Sequence, residues 1–266
     1  MLSIVTITYN DPEALAKTLA SLRNLEGQSI AWEHVVVDSS PSINTELLHK
    51  HRAANRTHVR QEPRGIYPAM NAGIRAASGD ILWFLNAGDE LLSSEALKNS
   101  LEELRNSASA NMLLAAVELT REGKLHYVAR PRGGIRPMIG INRICQQAIL
   151  YRKTLFDRLG MFSEKYRLAS DYEFHLRAHR QGAKVLLLNQ TIARYDMSGQ
   201  SSNAENVFAE FKLIHQALGR SGELENAQLH SLVREIEWLR ISSFRWLSRT
   251  PAGPLLRSFW RTIHRL

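Results

Sequence analysis

The stretch Gly65–Asp89, GIYPAMNAGIRAASGDILWFLNAGD, decides the fold. Its apolar residues recur at helical spacing from Tyr67 to Ala77, and Ser78-Gly79 breaks that helix. Ile81–Leu85 is then an unbroken apolar run, and Asn86–Asp89 is a polar elbow containing Gly88. A strand that is apolar at every position must be covered on both faces, which predicts a mostly parallel sheet between helices. In open sheets of that kind ligands bind where loops leave the carboxyl ends of strands, so the elbow with Asp89 is a predicted binding edge.

Toward the amino terminus, Ser3–Thr8 is a β-branched, apolar strand that runs into Tyr9-Asn10-Asp11-Pro12. Asp11 suits an N-cap and Pro12 a first helical residue, which predicts a helix to about Leu25 with Leu15, Leu19 and Leu22 buried. A second strand, Trp32–Val37, places Asp38 at its tip. Ser39-Ser40-Pro41 turns into a predicted helix over 43–54, and Thr57–Arg60 is a short third strand. Strand, helix, strand, helix is the pattern of right-handed parallel crossovers. Three polar strand ends therefore gather on one edge: Tyr9-Asn10, Asp38 and Asn86–Asp89.

Toward the carboxyl terminus, Ser93 or Ser94 caps a helix to about Arg105, and Met112–Leu119 and Leu125–Arg130 read as a hairpin around Gly123. Pro131–Arg143 has no periodicity and reads as a long loop. Ala148–Tyr151 is a short apolar segment, Lys153–Leu159 a helix stopped by Gly160, Ser170–Gln181 a helix with Asp171 in its first turn, and Ala183–Leu188 a strand. From Trp238 to Leu266 there are six arginines and no acidic residue. There Leu255, Leu256, Phe259, Trp260 and Ile263 oppose Arg257, Arg261 and Arg265 at helical spacing. Two readings fit that tail: an amphipathic helix for an anionic membrane surface, or the solvated face of a helix packed on the main domain.

With 266 residues, 44% apolar and 23% charged, the chain has the makeup of a globular protein and room for a buried core. Its net charge of +8 points to an anionic partner. The basic residues concentrate in a tail with bulky apolar neighbours and no nucleic-acid motif, so no nucleic-acid partner is expected. The lone Cys145 makes no internal disulfide and favours a reducing compartment. No run approaches the roughly 18 apolar residues of a membrane span, and Leu2–Thr8 lacks the basic start of a signal peptide. The expected location is cytoplasmic, peripheral on the inner face of the membrane where the tail binds it. The first turn, TYNDP, is not GxGxxG, and no GxxxxGK[ST] occurs, so neither standard phosphate cradle is present.

Four segments, SIVTITYN, VVVDSSP, GIYPAMNAGIRAASGDILWFLNAGDE and GMFSEKYRLASDYEFHLRAHRQG, resemble in order and spacing the A-type inverting glycosyltransferases of family 2, especially the bacterial polysaccharide-assembly members. The resemblance spans Met1–Ser202. It implies an α/β fold with a Rossmann-like, mostly parallel nucleotide-binding sheet and flanking helices, plus a helical C-terminal extension. The implied organisation is a glycosyltransferase domain over 1–203, with a nucleotide-sugar half to about 106 and an acceptor half beyond it, followed by a basic extension over 204–266. It implies a nucleotide-diphosphate-sugar donor whose base and ribose lie near Thr6, Tyr9 and Asp38, with Arg64, Asn71 and Asn86 near the diphosphate or sugar. Asp89 matches the last acid of the DxD-type metal motif, for Mg²⁺ or Mn²⁺, and Asp171 matches the general base. The implied acceptor is a glycan or lipid-linked saccharide of a surface polysaccharide.

The chain departs from the family pattern at three places. Asn86-Ala87-Gly88-Asp89 offers one carboxylate where two are usual, Cys145-Gln146 stands where relatives often have His-Gln, and Ser170 replaces the acid often paired with the base. Plainer roles remain open for several residues. Asp38 also suits a turn cap, Asp89 a turn residue, Asp171 an acid that complements a helix dipole, Asn71 a packing or backbone-bonding residue and Arg64 a solvated cation. The incomplete DxD also fits a non-catalytic nucleotide-sugar-binding or scaffold subunit.

Overall fold

The computed structural model describes residues 1–41, 53–121, 123–131, 145–197 and 204–218. The predicted helix over 43–54, the loop over 131–143 and the tail beyond 218 lie wholly or largely outside them.

Strands β1 (Leu2–Thr8), β2 (Trp32–Asp38), β3 (Arg56–Arg60) and β4 (Ile81–Phe84) pair in parallel in the spatial order β3-β2-β1-β4. The chain steps outward from β1 to β3 and then returns to lay β4 on the other side of β1. Strand order thus reverses between β1 and β4, which opens a crevice outside their carboxyl ends. Helix α1 (Pro12–Leu22) begins as its sequence dictates: Asp11 accepts from Ala14 N–H at 2.8 Å and Pro12 takes the first turn. The predicted end at Leu25 is reached through a tighter 3₁₀ turn, Arg23–Leu25. Helix α2 (Ile66–Ala76) packs on β1 so closely that a Cβ at Gly73 would fall 2.3 Å from Val5 Cγ1.

Beyond β4 come β5 (Glu90–Leu91), α3 (Ser94–Asn106) capped by Ser93, the hairpin β6 (Met112–Arg121) and β7 (Lys124–Ala129), and β8 (Ile149–Arg152). They are followed by α4 (Lys153–Leu159), α5 (Ser170–Arg180), β9 (Val185–Asp196) and α6 (Ala204–Ala217). β8 runs antiparallel between β4 and the start of β6, while β9 runs parallel to β6 and meets β5 antiparallel. The parallel character predicted from the apolar strands is therefore carried by β3-β2-β1-β4 and β6-β9, and antiparallel pairs complete a mixed sheet. β9 continues well past Leu188, its predicted end, because the polar Asn189 and Gln190 sit at an irregularity of register rather than at a strand end.

Trp83 and Phe84 are fully buried. Phe84, Tyr151, Phe156, Phe162 and Phe174 form an aromatic cluster with ring centroids 4.5–6.2 Å apart, many of them edge to face, which joins β4, β8, α4 and α5 under the carboxyl edge of the sheet. Among the described residues, no helix is long and apolar enough to cross a membrane.

Candidate active site

At the end of β1 the chain turns sharply at Asn10, whose φ of +51° is a left-handed conformation that asparagine tolerates. Asn10 N–H donates to Ser40 Oγ at 2.8 Å, and Ser40 N–H donates to Asp38 Oδ1 at 2.9 Å, so the tips of β1 and β2 are fastened together. Asp38 is fully buried, caps the Ser39-Ser40 turn and has His58 Nε2 3.9 Å from its other oxygen. Tyr9 stands at this edge 51% exposed. Around the crevice three buried side-chain oxygens have no hydrogen-bond partner among the described residues: Thr8 Oγ1 ending β1, Ser39 Oγ following β2 and Asn86 Oδ1 following β4. Buried polar atoms are ordinarily paired, so three orphans at adjoining strand ends give the crevice the chemistry of a polar-ligand site.

Thr6 does not join this group. It is wholly buried, its hydroxyl donates to Leu85 O at 2.7 Å, and His34 Nε2 lies 2.9 Å from the same oxygen. Its hydrogen-bonding capacity is spent inside the sheet, which leaves Thr8 as the β1 hydroxyl at the edge.

The elbow after β4 is held by Thr18 of α1, whose hydroxyl donates toward Asp89 O at 2.7 Å and Asn86 O at 3.1 Å and accepts from Gly88 N–H at 3.0 Å. Gly88 has φ +96°, which favours glycine at that corner. Asp89 is buried, and its Oδ2 accepts from Gln147 Nε2 at 2.8 Å and Asn86 N–H at 3.2 Å. Gln147 is itself anchored from below, since Trp83 Nε1–H donates to its carbonyl at 2.8 Å. Burial pushes the Asp89 carboxyl up to about 7, against the pull of Gln147, the nearby amides and Lys17.

Asp171 lies in the first turn of α5, buried, with Tyr67 Oη–H donating to its Oδ1 at 2.8 Å. Burial, then the charge of Asp171, holds the Tyr67 hydroxyl well above the usual range, so it remains a donor. Behind the helix turn His175 Nε2 meets Tyr151 Oη at 2.7 Å. Cys145 lies within electrostatic reach of both carboxylates: burial, then Asp89, then Asp171 push its thiol up to about 12, so it is an inert neutral group.

Arg64 and Asn71 take different places. Arg64 is 70% exposed before α2, with Glu164 Oε2 3.8 Å away. Asn71 is buried, and both ends of its carboxamide are engaged: Nδ2 donates to Phe162 O at 2.9 Å and Oδ1 accepts from Phe162 N–H at 3.1 Å. This is the packing and backbone-bonding role, a clamp between α2 and the segment after Gly160.

Among the described residues no group of three His, Cys, Asp or Glu side chains could hold a metal ion. The elbow offers the Asp89 carboxylate and the orphaned Asn86 amide oxygen. A hard divalent cation that shares phosphate oxygens needs only one or two protein oxygens, so this donor set fits a cation bound together with a diphosphate.

Several groups at the site were not anticipated from sequence: Thr8, Thr18, Ser39, Tyr67 and Gln147. Thr18 carried a signal, being a polar residue on the stripe Leu15, Leu19, Leu22. Gln147 carried a weaker one, as a second amide directly ahead of an apolar strand.

The model of the family Glycosyl transferase family 2 matches residues 3–160, more than half of the chain. An uncharacterized glycosyltransferase of Mycobacterium tuberculosis is 27% identical over 211 residues, covering 76% of this chain and 78% of its own. A PGL/p-HBAD biosynthesis glycosyltransferase of Mycobacterium bovis is 28% identical over 212 residues, covering 76% and 79%. Among solved structures, S. aureus TarS in complex with UDP-GlcNAc aligns with a TM-score of 0.62 at 20% identity, over 80% of this chain and 65% of that one. The chain spans 38% of a longer TarS structure. A mannosyltransferase of Pyrobaculum calidifontis, in complex with GDP-Man and Mn²⁺, aligns with a TM-score of 0.58 at 17% identity, over 96% and 82%. At such identities the structural likeness bears on the fold alone.

Proposed function

This chain belongs to glycosyl transferase family 2, and we propose that it is an inverting enzyme that moves a sugar from a nucleotide-diphosphate donor to a hydroxyl of a glycan or lipid-linked acceptor in surface polysaccharide assembly. The observation that carries this reading is the gathering of orphaned oxygens from Thr8, Ser39 and Asn86 at adjoining strand ends, beside two buried carboxylates, Asp89 held by Gln147 and Asp171 held by Tyr67. In this reading Tyr9 stacks on the base, Asp38 accepts from the ribose or base, and Arg64 meets the diphosphate or sugar. Asn71 serves the site through its clamp on Phe162. Asp171 takes the proton of the acceptor hydroxyl as that oxygen attacks the anomeric carbon from the face opposite the diphosphate. The bond from that carbon to the diphosphate oxygen breaks, and its electron pair leaves with the diphosphate. Mg²⁺ or Mn²⁺ held by Asp89 and Asn86 supplies charge stabilisation to the leaving diphosphate when bound.

Turnover of a panel of UDP-, GDP- and dTDP-sugars with lipid-linked acceptors, read by product anomeric configuration, tests the reading. An inverted product, and loss of turnover with retained donor binding in Asp171→Asn, are expected. Retention of configuration, or activity in Asp171→Asn, overturns it. The single-acid elbow also supports a second reading, a nucleotide-sugar-binding subunit without catalysis, which donor binding without any turnover would establish. We also place the reaction at the cytoplasmic face of the membrane, with residues 238–266 on anionic lipid. Deleting them should release the protein from anionic liposomes, and unchanged cosedimentation would refute that placement.

A further inference from the structure

We propose that Glu210, on helix α6 beyond the family-matched region, is a positioning residue for Asp171, acting through the backbone of 167–169 and through Tyr67. The inference rests on the reading of Asp171 as the base. Glu210 Oε1 accepts from Arg167 N–H at 2.8 Å, and its Oε2 accepts from Leu168 N–H at 2.8 Å and Ala169 N–H at 2.9 Å. These three amides are the last before α5, so one carboxylate fixes three successive peptides that lead into the helix of Asp171. The Leu168 carbonyl in turn lies 3.0 Å from Tyr67 Oη, the same hydroxyl that stands 2.8 Å from Asp171 Oδ1.

A tyrosine hydroxyl has one proton, here with two acceptors. An ionised Asp171 draws that proton. Once Asp171 has taken the acceptor's proton, the Leu168 carbonyl is placed to receive the Tyr67 hydroxyl hydrogen bond instead. The exchange requires the carbonyl to stay put, and Glu210 holds its peptide. Helix α6 is in turn secured to α5: Tyr172 Oη meets His215 Nε2 at 2.7 Å, and the Tyr172 and Phe211 rings are 4.2 Å apart. With Ala169, Leu176 and Ile214 they form a small core separate from the main one. The helix after residue 203 is therefore part of the apparatus that aims the base.

Steady-state kinetics below the melting temperature test this. Glu210→Gln should lower kcat roughly tenfold or more and leave the donor KM within about twofold, since the base is misaimed while the donor edge is untouched. Tyr67→Phe should lower kcat and move its acidic limb to higher pH, because a hydrogen bond to the ionised form is lost. Cys145 and Tyr151 from β8 also bear on Asp171, and His175 follows one turn along α5; the Tyr67 substitution alters none of these three side chains. Glu210→Gln and Tyr67→Phe should be non-additive, the double variant losing less than the product of the two. A lowered melting temperature with kcat within twofold of wild type, or fully multiplicative losses, overturns the proposal. If Glu210→Gln does not fold, Tyr67→Phe still decides, because an unchanged kcat and acidic limb refute the relay. Asp171→Asn run alongside separates the two claims: activity in that variant defeats the reading of the base, whereas its inactivity beside a normal Glu210→Gln defeats only this inference.

Discussion

Acid should weaken this fold through two histidines that are neutral in the native state. His34 is wholly buried in β2; Arg56 Nε–H donates to its Nδ1 at 3.0 Å, and its Nε2 lies 2.9 Å from Thr6 Oγ1, which donates on to Leu85 O. That run of donors is continuous only for a neutral ring protonated on Nε2, because a proton on Nδ1 would face the Arg56 N–H. Burial, with the Arg56 charge adding to it, lowers His34 to about 3. His175 is lowered to about 3 by burial, and its Nδ1 has no hydrogen-bond partner among the described residues. In both cases the folded value lies below the ordinary one near 6.5, so on acidification the unfolded chain takes up the proton first. The stabilisation is complete above that ordinary value and is lost progressively as pH falls toward the folded value. Between about pH 7 and about pH 5 the loss is roughly 2 kcal/mol for each histidine.

Asp89 works the other way over the same interval. Its carboxyl, raised by burial to about 7, takes up a proton in the native state before the unfolded one and returns stability of comparable size. The wild-type urea curve is therefore a sum, and the informative quantity is a difference. His34→Gln should lose roughly 2 kcal/mol less than wild type on passing from about pH 7 to about pH 5. The imidazole proton resonances of His34 and His175 in the wild-type protein should show no titration above about pH 5. A midpoint near the ordinary histidine value for either ring, or parallel pH curves for His34→Gln and wild type, would refute the reasoning.

Gly73→Ala should cost roughly 1–3 kcal/mol in thermal or urea unfolding, because its Cβ would fall 2.3 Å from Val5 Cγ1 in a packed helix–strand contact. Asn71→Ala leaves the Phe162 N–H and C=O unpaired and should cost about 3 kcal/mol, while calorimetric donor affinity stays within a few-fold; a loss of affinity without a loss of stability would restore a direct donor role. Tyr9→Ala should weaken UDP or GDP binding roughly tenfold at unchanged melting temperature, and Tyr9→Phe should not, since an exposed ring has little packing to lose. Chelation of divalent cations should weaken nucleotide-diphosphate binding roughly tenfold, with recovery on adding Mn²⁺ in wild type but not in Asp89→Asn; equal affinity with and without cation would remove metal from the mechanism.

The local elements were readable because their signals are short-range. Asp11-Pro12 sets the start of α1, Ser93 caps α3, and Gly160 at φ +81° ends α4. The apolar run Ile81–Leu85 announced a strand buried on both faces, and β4 occupies Ile81–Phe84 of it. What escaped was set by contacts across the chain. β5 has two residues and is a strand only because Arg194 and Ala193 pair with it. The extension of β9 depends on a register irregularity opposite β6, and no local pattern announces it. The role of Glu210 depends on three amides over forty residues earlier in the chain.

At the site, residue type was legible and hydrogen-bond capacity was not. Asn71 and Asn86 belong to one stretch and were both expected beside the donor, yet the carboxamide of the first is engaged at both ends while the oxygen of the second is buried with no partner among the described residues. Thr6 and Thr8 divide in the same way along β1. A polar atom already paired inside the fold must break a bond to meet a ligand, whereas an orphaned one is stabilised by it, so the orphans are the cheaper contacts. On the proposed reading, the same principle would let one acid serve at the elbow where two are usual. Asp89 Oδ2 is held by Gln147 and by the Asn86 amide, so the carboxylate is aimed before any cation arrives, and the unpaired Asn86 oxygen stands three residues away as a neutral second donor. A cation bound there would meet a lower negative charge than a two-acid elbow presents, and more of its charge would be left for the diphosphate. Replacing Asn86 with Asp should therefore tighten Mn²⁺ binding without raising kcat, a result readable by calorimetry beside turnover, and a parallel rise in both would show that the missing acid limits catalysis.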